Sequence, residues 1–209
     1  DVPVEEHSSY YRLLNAGSSW GRKTRDFLTN EGEGWNYGIE FTLEKFYHNN
    51  WYFLSTVSLF ESKYKGSDGV KRNTAFNGNF VTNTLVGKEV KLKSNGTLVF
   101  DVKVTLAGGK RYTPIDVEAS KEKDDDGAFN TVYIDELAYE KQFPDYLKAD
   151  VKIGYRLDGK KVSQVWEFYV ENVTNHKNSL NQTFNSNTGE IETVYQLGFF
   201  PLFNYKIYF

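Results

Sequence analysis

The 209-residue chain contains no cysteine, which excludes disulfide bonds, thiol catalysis and thiolate metal sites. It also has no apolar run of about 18 residues, so we do not expect a transmembrane helix. A secretory signal is missing as well, because Asp1 to His7 has neither a basic n-region nor an apolar h-region. We therefore interpret the chain as a mature or trimmed product.

Motifs for catalysis and metal binding are also missing. The chain has no G-x-S-x-G, H-E-x-x-H or Walker pattern. Its histidines, His7, His48 and His176, are isolated in the sequence. The charge run from Lys121 to Asp126 lacks the ligand spacing of a calcium loop and is typical of a solvated loop tip. We expect no enzymatic activity, no catalytic residue, no metal site and no cofactor, and the net charge of −3 indicates no nucleic-acid partner.

Aromatic residues, in contrast, are abundant. They make up 17% of the chain, whereas all hydrophobic residues together reach only 39%. This balance fits a soluble β-sandwich with aromatic binding surfaces. It also fits a transmembrane β-barrel, whose strands are only half apolar and carry aromatic girdles.

Alternation of apolar and polar residues predicts seven β-strands. The clearest strand, from Gly34 to Tyr47, spans about 14 residues, compared with a usual length of about 5–6. The other predicted strands are Trp51–Tyr64, Thr74–Leu92, Thr97–Ala107, Tyr146–Leu157, Val162–Val173 and Tyr195–Phe209.

Each predicted strand has an apolar face and a polar face, and most of the polar face is charged. In a soluble protein this face meets water, whereas in an outer-membrane barrel it lines the lumen. The predicted lumen-facing residues are Glu40, Glu44, Asp101, Lys103, Lys148, Asp150, Lys152, Arg156, Glu167 and Glu171. The predicted lipid-facing residues are Trp35, Tyr37, Ile39, Phe41, Leu43, Phe100, Val102, Val104, Val151, Ile153, Phe203, Tyr205 and Phe209. Aromatic residues that we interpret as an interfacial girdle, rather than as ordinary cross-strand packing, are Trp35, Tyr37, Tyr47, Trp51, Tyr52, Trp166 and Tyr205.

The connections alternate in length. Tight turns are predicted at His48–Asn50, Lys93–Gly96 and Asp158–Lys160. Longer segments separate them, at Lys65–Asn73, Gly108–Asp145 and Thr174–Glu192. Short turns at one end and long loops at the other are the plan of an outer-membrane barrel, with the turns on the periplasmic side. Phe209 then lies on the periplasmic side.

The sequence therefore predicts an all-β fold, a segment of an antiparallel transmembrane β-barrel. Seven strands cannot close a barrel, because an open edge in lipid leaves backbone groups unpaired. Either the chain is a fragment of a larger barrel, or Asp1 to Glu33 hides another strand. That segment shows no sustained alternation, so we interpret residues 1–33 as an extracellular loop region and 34–209 as C-terminal barrel strands.

Four stretches carry a resemblance to a known family: Asn36–Lys45, Ser62–Gly69, Arg72–Gly78 and Glu171–Asn175. They resemble the C-terminal barrel of a TonB-dependent outer-membrane receptor of the type common in Bacteroidetes. The final residues, Tyr205–Phe209, are similar to the terminal signal of outer-membrane proteins. The likeness covers nearly the whole chain and is weakest before Glu33 and from Glu118 to Tyr139.

The resemblance implies a barrel of about 22 strands with a plugged lumen, so that about fifteen strands and a plug precede Asp1. Such receptors bind a scarce ligand at the outer face and import it when the TonB complex pulls on the plug. The implied partners are outer-membrane lipid, the plug and upstream strands of the same receptor, TonB acting through the plug, and a surface lipoprotein. The loops that would help to shape the ligand site are Gly66–Asn73, Arg111–Asp145 and Thr174–Glu192.

Two alternatives remain open. One is a complete small barrel of about eight strands with a structural or adhesion role. The other is a soluble, aromatic-rich β-sandwich that binds carbohydrate. The nature of the transported ligand does not follow from the sequence.

Overall fold

The computed structural model describes residues 2–6, 9–16, 27–93, 95–123 and 127–209. In these ranges the protein is all-β with antiparallel sheets, which confirms the all-β, antiparallel part of the predicted fold. The strands are β1 (Val2–Glu5), β2 (Leu28–His48), β3 (Trp51–Lys65), β4 (Lys71–Asn73), β5 (Phe80–Lys91), β6 (Gly96–Ala107), β7 (Arg111–Tyr112), β8 (Lys141–Gln142), β9 (Tyr146–Asp158), β10 (Ser163–Glu171), β11 (Ser179–Asn185), β12 (Glu190–Tyr195) and β13 (Phe200–Tyr208). The helical segments are α1 (Leu13–Ala16), α2 (Val117–Ser120) and a 3-10 turn at Asp135–Leu137.

A nine-stranded sheet forms the body of the molecule. Its strand order is β1-β2-β3-β5-β6-β9-β10-β13, and β4 pairs with the end of β3. All these neighbours are antiparallel, as expected for strands that follow one another along the chain. Two short ribbons, β7 with β8 and β11 with β12, lie outside this sheet. Within the described ranges the sheet does not close into a barrel.

Short and long connections fall at opposite ends of the sheet. Between β2 and β3, Asn49 and Asn50 have positive φ values of 55° and 65°, which suit a tight two-residue hairpin turn. The connections between β5 and β6 and between β9 and β10 are also short. At the other end, the connections 66–79, 108–145 and 172–199 carry β4 and both ribbons. We call this end the long-connection end.

Two of the predicted strands cover more residues than the corresponding strands of the structure. The first was predicted from Thr74, but β5 begins only at Phe80. Residues 74–79 form a loop because a side chain occupies the backbone position of a strand partner: the Asn77 amide oxygen accepts from the Ser62 N–H at 2.9 Å. Asn79 then turns the chain with a φ of 72°.

The last predicted strand is divided in the same way. Tyr195 pairs with Ser179 in the β11–β12 ribbon, so it belongs to a hairpin rather than to β13. The Phe199 N–H then donates to the Asn175 side chain at 3.0 Å, and β13 begins at Phe200. Alternation alone does not distinguish a strand of the main sheet from one in a separate ribbon.

The start of the chain contains more strand than predicted. β2 begins at Leu28, and β1 pairs with its first residues, opposing Val4 to Thr29. The most deeply buried side chains also gather at this end of the sheet. Tyr64, at the end of β3, is fully buried, and its hydroxyl donates to the Tyr10 carbonyl at 2.8 Å. The main packed core therefore lies at the long-connection end.

Candidate functional site

The two faces of the main sheet differ in chemistry. The strand register places the ten predicted lumen-facing residues on one face, which we call the charged face. It places the predicted lipid-facing residues within strands on the other, the apolar face. Phe209 follows the end of β13 and is completely exposed. The assignment of these faces to lumen and lipid remains a prediction.

Ion pairs link four strands across the charged face. Lys152 on β9 contacts Asp101 on β6 at 2.6 Å and Glu167 on β10 at 3.7 Å. Glu167 also contacts Lys206 on β13 at 2.7 Å. The Tyr52 hydroxyl on β3 donates to the other oxygen of Asp101 at 2.6 Å. Because Asp101 is only 6% exposed, its carboxylate depends on these two partners.

Two smaller groups of ion pairs flank this network on the charged face. Toward the long-connection end, Lys148 contacts Glu171 at 2.6 Å and the buried Asp150 at 3.6 Å. Toward the short turns, Arg156 contacts Asp158 at 3.2 Å and Glu89 at 3.8 Å. Ion pairs therefore connect neighbouring strands along most of the length of the charged face.

Three predicted members of this face stand apart from the ion pairs. Glu40 accepts a hydrogen bond from Ser58 at 3.1 Å. Glu44 and Lys103 are exposed. Within the described ranges none of these three takes part in an ion pair.

Burial in the sheet is the reverse of that in a water-soluble protein. On the apolar face Ile39 is 74% exposed, Phe41 64% and Phe203 69%. On the charged face Asp101 and Asp150 are 6% and 3% exposed. The exposed apolar residues extend over β2, β3, β5, β6, β9, β10 and β13 and form one broad surface. Soluble monomers rarely expose apolar patches beyond a few hundred Å².

Aromatic side chains form a row on the apolar face near the short turns. Trp166 lies between Tyr155 and Tyr205, with ring centroids 5.7 Å and 5.5 Å away. At the same end, the Lys45 ammonium lies 4.0 Å from the ring centroid of Trp51. This arrangement is compatible with both interpretations of these residues, a membrane-interface girdle and cross-strand packing.

Two residues of the predicted girdle face the other way. The hydroxyl of Tyr52 donates to Asp101 and that of Tyr47 donates to Glu89, so both rings lie on the charged face. For Tyr47 the cause is a register shift between Lys45 and His48, which interrupts the alternation. Their assignment to the girdle was wrong.

The long connections enclose a cleft of about 510 Å³. Part of its wall comes from two loops that were predicted to shape a ligand site, through residues such as Tyr133 and Gln182. Tyr10 and Asn15, from the N-terminal segment, were missed as site residues because that segment has no periodic pattern. The third predicted loop instead borders a separate cleft of about 480 Å³, together with residues 136–138 and Glu140.

Buried polar side chains hold these connections to the sheet. Asn172 is 1% exposed, and its amide oxygen accepts from the His176 N–H at 3.1 Å while its amide nitrogen donates to the His176 carbonyl at 2.9 Å. Asn178 bonds to both the N–H and the carbonyl of Leu147, at 2.9 and 2.8 Å, and so imitates a strand partner. Burial also raises the pKa of Tyr139 to about 12, so its hydroxyl stays protonated at physiological pH.

The isolated histidines gain no shared site. His48 is the last residue of β2, beside the first short turn, where its carbonyl accepts from Lys45, and His176 lies in the last long connection. His7 is outside the described residues. Among the residues that the structure describes, there is no cluster of His, Cys, Asp and Glu suited to a metal ion. No helix in this part of the chain is long and apolar enough to cross a membrane.

Comparisons with known proteins were made against family models, curated proteins and solved structures. None of the three gave a match to this chain.

Proposed function

We propose that this chain is part of the wall of an outer-membrane β-barrel, in a TonB-dependent receptor that imports a scarce ligand. The observation that supports the proposal most directly is the reversed burial of the main sheet. Apolar side chains such as Phe41 and Phe203 are largely exposed, whereas Asp101 and Asp150 are buried in ion pairs. This pattern suits a sheet with lipid on one side and a polar lumen on the other.

Lipid gives the exposed apolar face a favourable environment. In water each exposed apolar Å² costs about 25 cal/mol relative to burial, and this cost accumulates over seven strands. A soluble sandwich would cover the face with a second sheet. Within the described ranges, the two ribbons are the only other sheets, and both belong to the long connections.

The charged face suits a hydrated lumen. Lys152, Glu167 and Lys206 remain partly exposed while paired, with side-chain exposures of 31%, 17% and 43%. Paired charged residues of both signs can contact a polar plug domain through a hydrated interface, without dry and tightly bound packing. TonB would act on that plug, and the chain itself would be neither an enzyme nor a cofactor carrier.

The long connections suit the cell-surface side of such a receptor. They form the larger loops, and they enclose the cleft described above, whereas the opposite end has only short turns. A surface lipoprotein would cover this side. The TonB-dependent identity is carried by the sequence resemblance rather than by the shape of the sheet.

Membrane extraction of the full-length natural protein tests the proposal. We expect the protein to remain in the membrane pellet after carbonate washing and to enter solution only with detergent. Recovery in aqueous buffer without detergent would contradict every form of barrel. The intact mass of the natural product then separates the two barrel forms, because a chain no longer than this one would contradict the large receptor and favour the small barrel.

A further inference from the structure

At the short-turn end, the apolar face of the main sheet carries positive charge without negative charge. The strand register places Lys45 on β2 and Lys88 on β5 on this face. In the described strands, this end of the face has neither Asp nor Glu. Within the described ranges, neither lysine takes part in an ion pair. The two lysines therefore add an unbalanced charge to a surface that is otherwise apolar.

The indole ring of Trp51 lies between the two lysines. The Lys45 ammonium lies 4.0 Å from the ring centroid of Trp51, and Lys88 is the register partner of Trp51 on the neighbouring strand. Directly opposed residues of an antiparallel pair have Cβ atoms about 4.5–5.5 Å apart, so both lysines flank one ring. Trp51 is itself 39% exposed. We call Lys45, Trp51 and Lys88 the basic rim.

The basic rim has hydrogen-bond donors to offer to a ligand. Lys45 donates to the His48 and Trp51 carbonyls at 2.9 and 3.1 Å, which fixes its ammonium beside the first short turn. An ammonium group has three donors, so one donor of Lys45 remains. Lys88 is exposed. An anion at the rim can therefore contact both ammonium groups.

The position of the rim on the sheet suits the boundary between hydrocarbon and headgroups. The Glu89 N–H, next to Lys88, donates to the Asn50 carbonyl of the first short turn at 2.8 Å. The aromatic row centred on Trp166 lies at the same end of the same face. In a membrane, Trp and Tyr side chains of this kind lie at the headgroup level. A lysine there keeps its methylene groups in apolar surroundings and extends its ammonium toward the headgroups.

The opposite end of the apolar face has charges of both signs. Lys63 pairs with Glu61 at 3.2 Å, and Lys65 pairs with Glu33 at 3.4 Å. Lys71, the register partner of Lys65 on β4, adds one further cation. Carboxylates of the sheet itself balance most of the charge at this end, whereas the charge of the basic rim has to be balanced from outside the described strands.

We infer that the basic rim binds the phosphate of an anionic phospholipid, whose acyl chains lie along the apolar face. The inference rests on the proposed function, which places this face in lipid. Lysine binds phosphate as a point charge, and two ammonium groups beside one ring give the headgroup a defined position. Apolar residues next to the rim, such as Phe53 and Val86, give the acyl chains a surface to cover. A free phosphate would leave that surface uncovered.

Native mass spectrometry of the full-length protein in detergent tests this inference. The protein is titrated with dioleoyl phosphatidylglycerol, and dioleoyl phosphatidylcholine, which has the same chains and a zwitterionic headgroup, is the comparison. The tightest binding step should favour phosphatidylglycerol. Lys88→Gln should weaken this step about fivefold, and Lys88→Gln combined with Lys45→Gln about 25-fold, whereas Lys88→Arg should change it less than about twofold.

Lys65→Gln is the matched control, because it removes the same charge from the same face at the opposite end. Lys88→Gln leaves the contacts of Lys45 with the turn carbonyls in place, so it tests the site without disturbing the hairpin. Gel mobility before and after heating, compared in detergent, reports whether each variant is folded. Inorganic phosphate, added at the same concentration as the lipid, separates a lipid site from a simple phosphate site.

Tighter binding of phosphatidylglycerol that falls with Lys88→Gln, but not with Lys65→Gln, supports the inference. Equal affinity for the two lipids, equal effects of Lys88→Gln and Lys65→Gln, or displacement of the lipid by inorganic phosphate would overturn it. Membrane extraction of the same preparation separates the two proposals. A protein that needs detergent but does not distinguish the two lipids overturns only the lipid site, and one that needs no detergent overturns the barrel and the lipid site with it.

Discussion

Replacing Val102 by arginine tests which side of the sheet faces lipid. Val102 lies on the apolar face of β6, directly opposite Val86 on β5 and Val151 on β9. It is 44% exposed, so an arginine side chain has room to leave the sheet surface without displacing a neighbour. The energetic effect therefore reports the surrounding medium rather than overpacking.

The expected change in the free energy of unfolding differs strongly between lipid and water as the medium at the apolar face. At the bilayer midplane, an arginine on the lipid face of a barrel costs about 2–4 kcal/mol. That corresponds to an unfolding equilibrium constant about 30- to 700-fold larger. On a surface in water, the same substitution usually changes stability by no more than about 0.5 kcal/mol. We expect the larger cost for Val102→Arg and for Phe100→Arg on the same face.

The neighbouring Lys103 provides the matched control. It lies on the charged face and is exposed, so Lys103→Ala should change stability by no more than about 0.5 kcal/mol. The measurement is a urea titration of the full-length protein in phosphatidylcholine vesicles, followed by tryptophan fluorescence. Equal effects of Val102→Arg and Lys103→Ala would refute the assignment of the apolar face to lipid.

Three other changes test how the charged face and the connections are held. Lys152→Ala deprives the buried Asp101 carboxylate of its cation at 2.6 Å and should cost about 1–3 kcal/mol in the same titration, with Lys152→Arg costing less. Gly87→Ala places a methyl group against the Tyr52 ring and Asp101 and should lower the free energy of unfolding by about 1–3 kcal/mol. In a Tyr52→Ala background most of that cost should disappear, and additive effects of the two substitutions would contradict the contact. Asn172→Ala removes a buried amide at a φ of 48° and should speed protease cleavage of the last long connection more than Asn172→Gly does; an unchanged digestion pattern would argue against this anchor.

The sequence was sufficient to predict the main strands because the two faces of the sheet differ in chemistry, one apolar and the other charged. Strands β6 and β9 show this most clearly, since Val102 and Val151 alternate with Asp101 and Asp150 along both strands. The alternation also predicted which residues share a face, because side chains in a strand point alternately to the two sides.

The packing of the long connections could not be predicted in the same way. Residues 74–79 have an alternating pattern, but their partners are side chains such as Asn77, which satisfies a backbone group of β3. The cleft joins Tyr10 to residues more than 100 positions away, and no local pattern encodes that contact. Tyr47 was misplaced for a local reason, because a register shift near a turn leaves no trace in composition.

The direction of the strands at the two open edges constrains what can complete the sheet. β2 and β13 both begin at the long-connection end and run toward the short turns, so they are parallel to each other. β1 covers β2 only near Leu28–Gly32 and leaves residues 33–48 without a partner on that side in the described ranges. Joining the two edges through antiparallel neighbours takes an odd number of intervening strands. In a ring made only of copies of this chain, β13 of one copy would lie beside β2 of the next copy and run parallel to it. Every edge strand gains an antiparallel neighbour only when an odd number of additional strands lies between the two edges.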